Sequence, residues 1–425
     1  MKRNSSGFVL LASLIIVLFL SIVFSATIMR SEIQLKQVNQ RRAVQEAFYA
    51  AEAGIDRTIF ELRRDINWSP GEDGQEPLED VPLEINDPNG QTATVGFFSI
   101  KVADGGFLEN FGQTRWVQAL GKDSLGEASR MIVAKVLVDD PSRFMVSTPG
   151  TLKIKSGAVI EADILGQNLS FDVNKTLPQG ERVITVDGDV FYIDKLNPAD
   201  PQADPDITIT GEVKQYPSIT FPGVDLTRYA SIAQSLAPLS GYKTQGNLTV
   251  DLSNLSSLNS DPGFQPQIIY ADGDITISGE YNQSILVVAG GNIYIEGDVK
   301  PDADSGLPSV PQVGLFAKKD VIIPDGALGA GADLTVEAFV MADGGDNSTG
   351  RFMAQSSQAL GSFNFKGSIS VRSDDEDLTG VDLNIFSERH YTHQSGQSVP
   401  FIPFIANILQ WSETSLDEPF PPQDS

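Results

Sequence analysis

Cysteine is absent, and histidine occurs only at His390 and His393. The first absence excludes disulfide staples, a zinc–thiolate site and a cysteine nucleophile. The second leaves little for a histidine-based metal centre or a catalytic triad. Cations are scarce: 30 Lys and Arg stand against 56 Asp and Glu, a net charge of −26 over 425 residues. That balance argues against nucleic acid as a partner, because phosphate contacts need clustered Lys and Arg. Proline is missing before Pro70, and only Gly7 and Gly54 precede Gly71. The first 65 residues carry nine Lys or Arg and six Asp or Glu, a net of +3, which leaves −29 for the remainder. A basic, proline-free start therefore precedes a large acidic region rich in glycine and proline. The length allows two or three domains, and 41% hydrophobic residues exclude global disorder.

What is there begins with an uncharged run of 22 residues, Phe8–Met29. At about 1.5 Å per residue it spans a bilayer core of about 30 Å. The alternative is a cleaved secretory signal, but such signals have apolar cores of about 7–15 residues, and only Ser25-Ala26-Thr27 weakly suggests a cleavage site. Lys2 and Arg3 favour a cytoplasmic N-terminus, while Arg30, Lys36, Arg41 and Arg42 beyond the run weaken that preference. The helical pattern then continues. Val44, Phe48, Ala51, Ile55, Ile59 and Leu62 recur at the spacing of one helix face. Phe8–Arg64 would form one rod about 85 Å long.

The start MKRNSSGFVLLASLIIVLFL resembles the class III signal of type IV pilins and type II secretion pseudopilins: a short basic leader, a glycine, a phenylalanine and about 20 apolar residues. Ala47-Phe48-Tyr49-Ala50-Ala51-Glu52-Ala53-Gly54 is similar to the A-x-x-A-A-E-A signature of PilX-type minor pilins. The resemblance covers about the first 65 residues. It implies that a prepilin peptidase cuts after Gly7, that Phe8 becomes a methylated N-terminus, and that Glu52 and Gly54 belong to the assembly region. It also implies other pilins or pseudopilins as partners through the helix, and a single-pass protein of the cytoplasmic membrane with its bulk outside. The sequence departs from the family at Ala12. Most pilins place there, at the fifth mature position, a Glu that neutralises the amine of a neighbouring subunit. A buried carboxylate is costly unless paired, and a subunit with no neighbour above it has no need of one. The departure favours a minor or tip subunit.

Beyond the rod the expected fold is mainly β. Residues 1–7 are the leader, 8–29 the membrane helix and 30–66 its amphipathic continuation. Residues 67–92, dense in Pro, Gly and acids, read as a linker. Alternating stretches at Thr94–Val102, Trp116–Leu120 and Ala128–Val138 make 93–140 a small antiparallel region, with a turn near 121–126. From 145 to 375 short β runs are punctuated by Gly and Asp. Ile269–Ile277, Val287–Ile295 and Leu315–Ile323 share one pattern: two apolar residues and Ala, two turn residues, Asp or Asn, then an alternating strand. Val186–Ile193 is a fainter copy. Offsets of 18 and 28 residues suit coils of a right-handed parallel β-helix; an irregular β-sandwich is the alternative. Residues 376–425 read as a C-terminal cap, with Phe401–Ile405 and Trp411 closing an end of the solenoid, followed by a disordered acidic tail.

Candidates for chemistry are few. Asp187-Gly188-Asp189, Asp272-Gly273-Asp274, Asp302–Asp304 and Asp374–Asp377 offer carboxylates to calcium, but none forms a twelve-residue calcium loop, and solvated turns explain them. His390-Tyr391-Thr392-His393 lacks the Glu of a zincin helix. Lys318-Lys319-Asp320 would suit a polysaccharide lyase, yet it fills the turn position of the other repeats. No cofactor, metal or catalytic residue is expected. The first reading is a non-enzymatic pilus or pseudopilus subunit. The other is a membrane-anchored carbohydrate-binding or carbohydrate-active β-helix protein.

Overall fold

The computed structural model describes residues 5–70, 78–86, 91–108, 112–218, 221, 223–259, 264–302, 312–345, 350–372, 380–393, 399–402, 405–415 and 420–421. A single helix, α1 (Ser5–Leu62), opens the chain. Among the described residues its apolar side chains from Leu14 to Met29 face outward, covered by nothing in this chain. It is the one described helix long and apolar enough to cross a membrane. The helix ends where Asp65 turns its side chain to accept from the Asn67 amide, an Asx turn that competes with further helix.

The C-terminal half of α1 lies on an antiparallel sheet of β1 (Val81–Asn86), β2 (Thr92–Leu108), β3 (Gly112–Asp123), β4 (Ser129–Asp139) and the returning strand Ile405–Thr414, in that spatial order. Ala51, Ile55 and Leu62 meet Phe98, Ile100, Val117, Ala119, Ile132 and Ala134 in one apolar core, with Phe48 and Ile59 at its margin. Five of the six positions that the helical spacing singles out are here; Val44 is half-buried outside this cluster. The approach is close: a Cβ on Gly121 would stand 1.9 Å from the Ala47 carbonyl oxygen, so only glycine fits there. The expected linker 67–92 is corrected at β1, which pairs with β2 from Val81↔Phe98 to Asn86↔Thr92. Its Pro82 is tolerated because β1 is an edge strand.

The remaining strands form one parallel sheet wound into a solenoid with three walls. The three repeats align in register: Ile269 pairs with Val287 and Val287 with Leu315, while Ile275 pairs with Ile293 and Ile293 with Val321. All six side chains are fully buried. The order of the coils is not the order of the sequence. The chain enters mid-stack at Val146 and winds outward to Val213–Gln215. It then crosses to the opposite end at Gly241–Thr244 and winds back, until Ile369 pairs with Val146 and Tyr391 with Ile160. The crossing passes nine inter-strand steps, about 43 Å at about 4.8 Å each. Part of it is the helix Leu226–Leu236, whose N-terminus is capped by Asp225 accepting from Arg228 N. Tyr229 and Ala233, one turn apart, pack this helix on the outward side chains of Ile268, Tyr270, Leu286, Val288 and Phe316. That wall is covered on both faces, which is why its strands IIYA, ILVVA and VGLFA are uninterruptedly apolar.

The whole solenoid is inserted between two neighbouring strands of the antiparallel sheet. The chain leaves at Asp139, and Ile405 returns opposite it. This corrects the expected C-terminal cap over 376–425. Phe386–Thr392 is a solenoid strand. Val399 and Ile402 lie on the covered wall beside the flanking helix rather than across an end. Trp411 sits on the returning strand, opposite Ala134. The physical reason is the open edge of β4, whose amides and carbonyls the returning strand satisfies. Of the tail, 416–419 and 422–425 lie outside the described residues; Phe420 and Pro421 line cavities beside Glu79 and Lys101.

Candidate functional site

The acidic corners are bonded from coil to coil. Asn247 accepts from the Asp274 amide at 2.9 Å, Asp274 from Asn292 at 2.7 Å, Asn292 from Asp320 at 3.1 Å and Asp320 from Arg351 at 2.8 Å. A second ladder climbs another corner, from Asp163 to the Asp189 amide and from Asp189 to the Glu212 amide, each at 2.8 Å. The fainter repeat at 186–193 therefore occupies a different corner from the other three. At this geometry the Asp and Asn side chains serve as acceptors that join successive turns. Among the described residues no group of three or more acidic or histidine side chains could hold a metal ion. Asp304 and Asp374–Asp377 lie outside the described residues.

Lys318 contacts Asp343, a carboxylate also approached by Arg372 at 3.6 Å, and donates to the Val224 carbonyl at 3.4 Å. Asp343 is buried, so this cluster clamps the crossing segment to the solenoid corner. Lys319 is exposed, and Asp320 belongs to the corner ladder. His390 lies on a strand paired with Val159, and His393 Nδ1 is 3.3 Å from the Gly367 carbonyl. The two rings are thus not on a helix face.

The membrane-side candidates fall on α1. Gly7, Phe8 and Ala12 are in its helical backbone, with side chains outside the described set. Gly54 is buried within the chain, where a Cβ would meet Ala119 at 3.1 Å and Phe98 at 3.3 Å. Ala47, Ala50 and Ala51 are likewise fully buried against the sheet. Small residues at these positions let helix and sheet approach closely. Glu52 is exposed and points the other way, into a notch of about 280 Å³ shared with Ile55, Asp56, Ile132, Ile408 and Trp411.

The end of the sheet that feeds the solenoid adjoins the end of α1. Arg63 donates to the Ala406 carbonyl at 3.3 Å, while Gly121, near the opposite β3–β4 turn, touches Ala47. The head thus departs from the end of the sheet farthest from the apolar half of the helix. The junction is packed: Phe144, Phe191 and Tyr216 meet edge to face at 5.8–6.0 Å between centroids, and Leu137 and Leu165 complete the cluster. Sequence reading missed this cluster because its members come from distant segments with no shared period.

No family model and no curated protein matches the chain. Among solved structures it is similar to the competence-associated pilin ComZ from Thermus thermophilus, with a TM-score of 0.29 and 14% identity over 88% of this chain and 97% of that one. It is also similar to the DUF3494 domain of ice-binding protein 1 from Shewanella frigidimarina, with a TM-score of 0.27 and 13% identity over 60% of this chain and 98% of that one. Both scores are too low to transfer a fold or a function to this chain.

Proposed function

We propose that this protein is a non-enzymatic minor subunit of a type IV pilus or pseudopilus, held at or near the filament tip. One observation carries the reading. A single helix leaves its apolar half bare and packs its other half on a small antiparallel sheet, and the large head departs from the sheet end farthest from that bare half. The bare half serves the membrane before assembly and neighbouring subunit helices afterwards. The basic leader ending at Gly7, the following Phe8 and the absence of a carboxylate at Ala12 support processing by a prepilin peptidase and a place without a subunit above. A solenoid projecting past the end of α1 would obstruct another subunit stacked over it, and a net charge of −29 beyond residue 65 adds repulsion between adjacent copies. The most prominent acid–base cluster, Lys318–Asp343–Arg372, is taken up in holding the crossing segment, which weighs against a catalytic use. Immunogold labelling and quantitative mass spectrometry of sheared filaments test the assignment. Label confined to ends, at a small fraction of the major subunit, is expected; label along the shaft at comparable abundance would overturn it.

A further inference from the structure

The terminal coil of the solenoid is built differently from the coil it stacks on. In that next coil the strand Ile275–Tyr281 runs on into the third wall, where Glu280 pairs with Lys300, and 282–284 alone lead to the strand that begins at Ile285. In the terminal coil the strand Leu248–Asp251 stops, and a 3-10 segment, Leu252–Leu258, takes the place of the third wall. Asp251 accepts from the Ser253 amide at 3.0 Å, and the Ser253 hydroxyl accepts from the Glu280 amide at 2.9 Å, so the segment is stitched to the strand beside it. The mismatch between a 3-10 segment and a flat strand leaves a pocket of about 300 Å³, a size that suits a small ligand. Its floor is apolar, with Leu252, Leu255 and Phe264 all buried. Its walls carry the amides of Asn254, Asn282 and Gln283 and the carboxylate of Glu280. Two of the amides are fixed in place. Asn254 leaves helical geometry at φ −140°, ψ 59°, and its Oδ1 and carbonyl accept from the Ser256 and Ser257 hydroxyls at 2.9 and 2.7 Å. Gln283 Nε2 donates to the Pro266 carbonyl at 2.9 Å. Closing the core accounts for the apolar floor but not for amides held around it.

We infer that this pocket binds a neutral saccharide. A sugar ring offers one apolar C–H face, which fits the floor, and adjacent hydroxyls, each a donor and an acceptor. The groups left to meet them are Asn254 Nδ2, Gln283 Oε1, the Asn282 amide and the Glu280 oxygen that does not face Lys300. Because Asn254 and Gln283 are already held, little ordering is left for binding to impose. Charge selects against anionic sugars: Asp302 joins Glu280 in lining the pocket, and Lys300 is shared between Glu280 at 3.5 Å and Asp298 at 2.9 Å. The location suits a site that meets something outside the molecule. The terminal coil lies seven to nine inter-strand steps from the coils that bring Leu165, Phe191 and Tyr216 to the junction, about 34–43 Å at about 4.8 Å each. Saccharide binding by the head goes beyond the filament reading above and is independent of it.

The test applies the labelled full chain, in detergent, to immobilised cellotetraose, maltotetraose, mannotetraose, chitotetraose and galactotetraose, with tetragalacturonate and sialyllactose as acidic counterparts. Calorimetric titration then follows the best binder. Saturable one-site binding to a neutral saccharide, unchanged by chelator, is expected. Glu280→Gln with Asn282→Ala should weaken it roughly tenfold or more; both side chains are exposed, so an unchanged melting curve verifies that the variant is folded. Lys319→Ala, exposed on another corner, should leave the affinity unchanged. Binding to none of the neutral saccharides, a preference for the acidic ones, or an affinity indifferent to the double substitution would overturn the inference. Loss of binding with chelator would overturn it as well, by showing that a cation rather than these side chains holds the hydroxyls. The filament reading stands or falls separately, on processing and on the location of the chain in filaments.

Discussion

The Tyr216 hydroxyl donates to Asp139 Oδ2 at 2.5 Å, joining the last residue of β4 to the residue after the outermost coil strand, 77 positions away in sequence. Arg143 stands 3.4 Å from the same oxygen and lies over the Phe144 ring at 4.6 Å. Burial pushes the Asp139 carboxyl up to about 6 against the opposing pull of Arg143 and Tyr216. The folded state therefore holds this proton between about pH 4, where an unfolded Asp titrates, and about pH 6. The associated stability is fully present below pH 4 and lost as the pH rises through 6, a difference of roughly 3 kcal/mol. Asp139→Asn keeps an acceptor for Tyr216 and removes the titration. Melting of the full chain in detergent should show the variant gaining on the wild type at pH 7.5 and matching or trailing it at pH 4; parallel curves at both pH values would contradict the junction geometry.

The coil order makes a prediction about fragments. Residues 140–402 contain both partners of the closing pairs Ile369↔Val146 and Tyr391↔Ile160, whereas 145–371 lacks the strand Phe386–Thr392. The longer fragment should fold as a soluble β protein with a cooperative transition. The shorter one, which leaves Phe363 and Ile160 without their cover, should aggregate or melt well below it, as circular dichroism on the pair will show.

Within the walls, Ile293 is stacked between Ile275 and Val321 with no exposure. Ile293→Asp puts an unpaired charge into that stack and should cost about 4 kcal/mol or abolish folding. Thr249→Asp, at an exposed outward position at the end of the same wall, should change stability by less than about 1 kcal/mol. Equal effects on denaturant midpoints would refute the register.

Much of this fold was legible because it is local. The rod, the three antiparallel strands and the matched repeats at 269–277, 287–295 and 315–323 each carry a period or a turn signal. What escaped was non-local. Nothing in Val146 or Ile369 indicates that they are neighbours, and nothing in IANILQW distinguishes a solenoid cap from a strand returning to β4. The helix Leu226–Leu236 had readable signals in Asp225 and in the Tyr229–Ala233 spacing, but a β-rich context concealed them. Nor did the sequence show that Ala47, Ala50, Ala51 and Gly54 pack on the chain's own sheet while Glu52 is exposed.

The corner ladders yield a prediction on both stability and calcium. Asp274→Ala removes the acceptor of the Asn292 amide and should cost about 1–3 kcal/mol, while Asp274→Asn, which retains an acceptor, should cost less. Because these oxygens are already used by amides, chelators should leave the melting temperature of the 140–402 fragment essentially unchanged. A large drop with chelator, restored by calcium, would show that the corners bind the ion.

The central claim is that α1 is the processed, membrane-extracted spine of a filament subunit, and the mature N-terminus tests it most directly. Mass spectrometry of the protein recovered from its membranes should find Phe8 as the first residue, carrying an added methyl group, and Gly7→Val should leave the leader attached. A mature N-terminus near Ala26, or an intact Met1 in the wild type, would contradict the account.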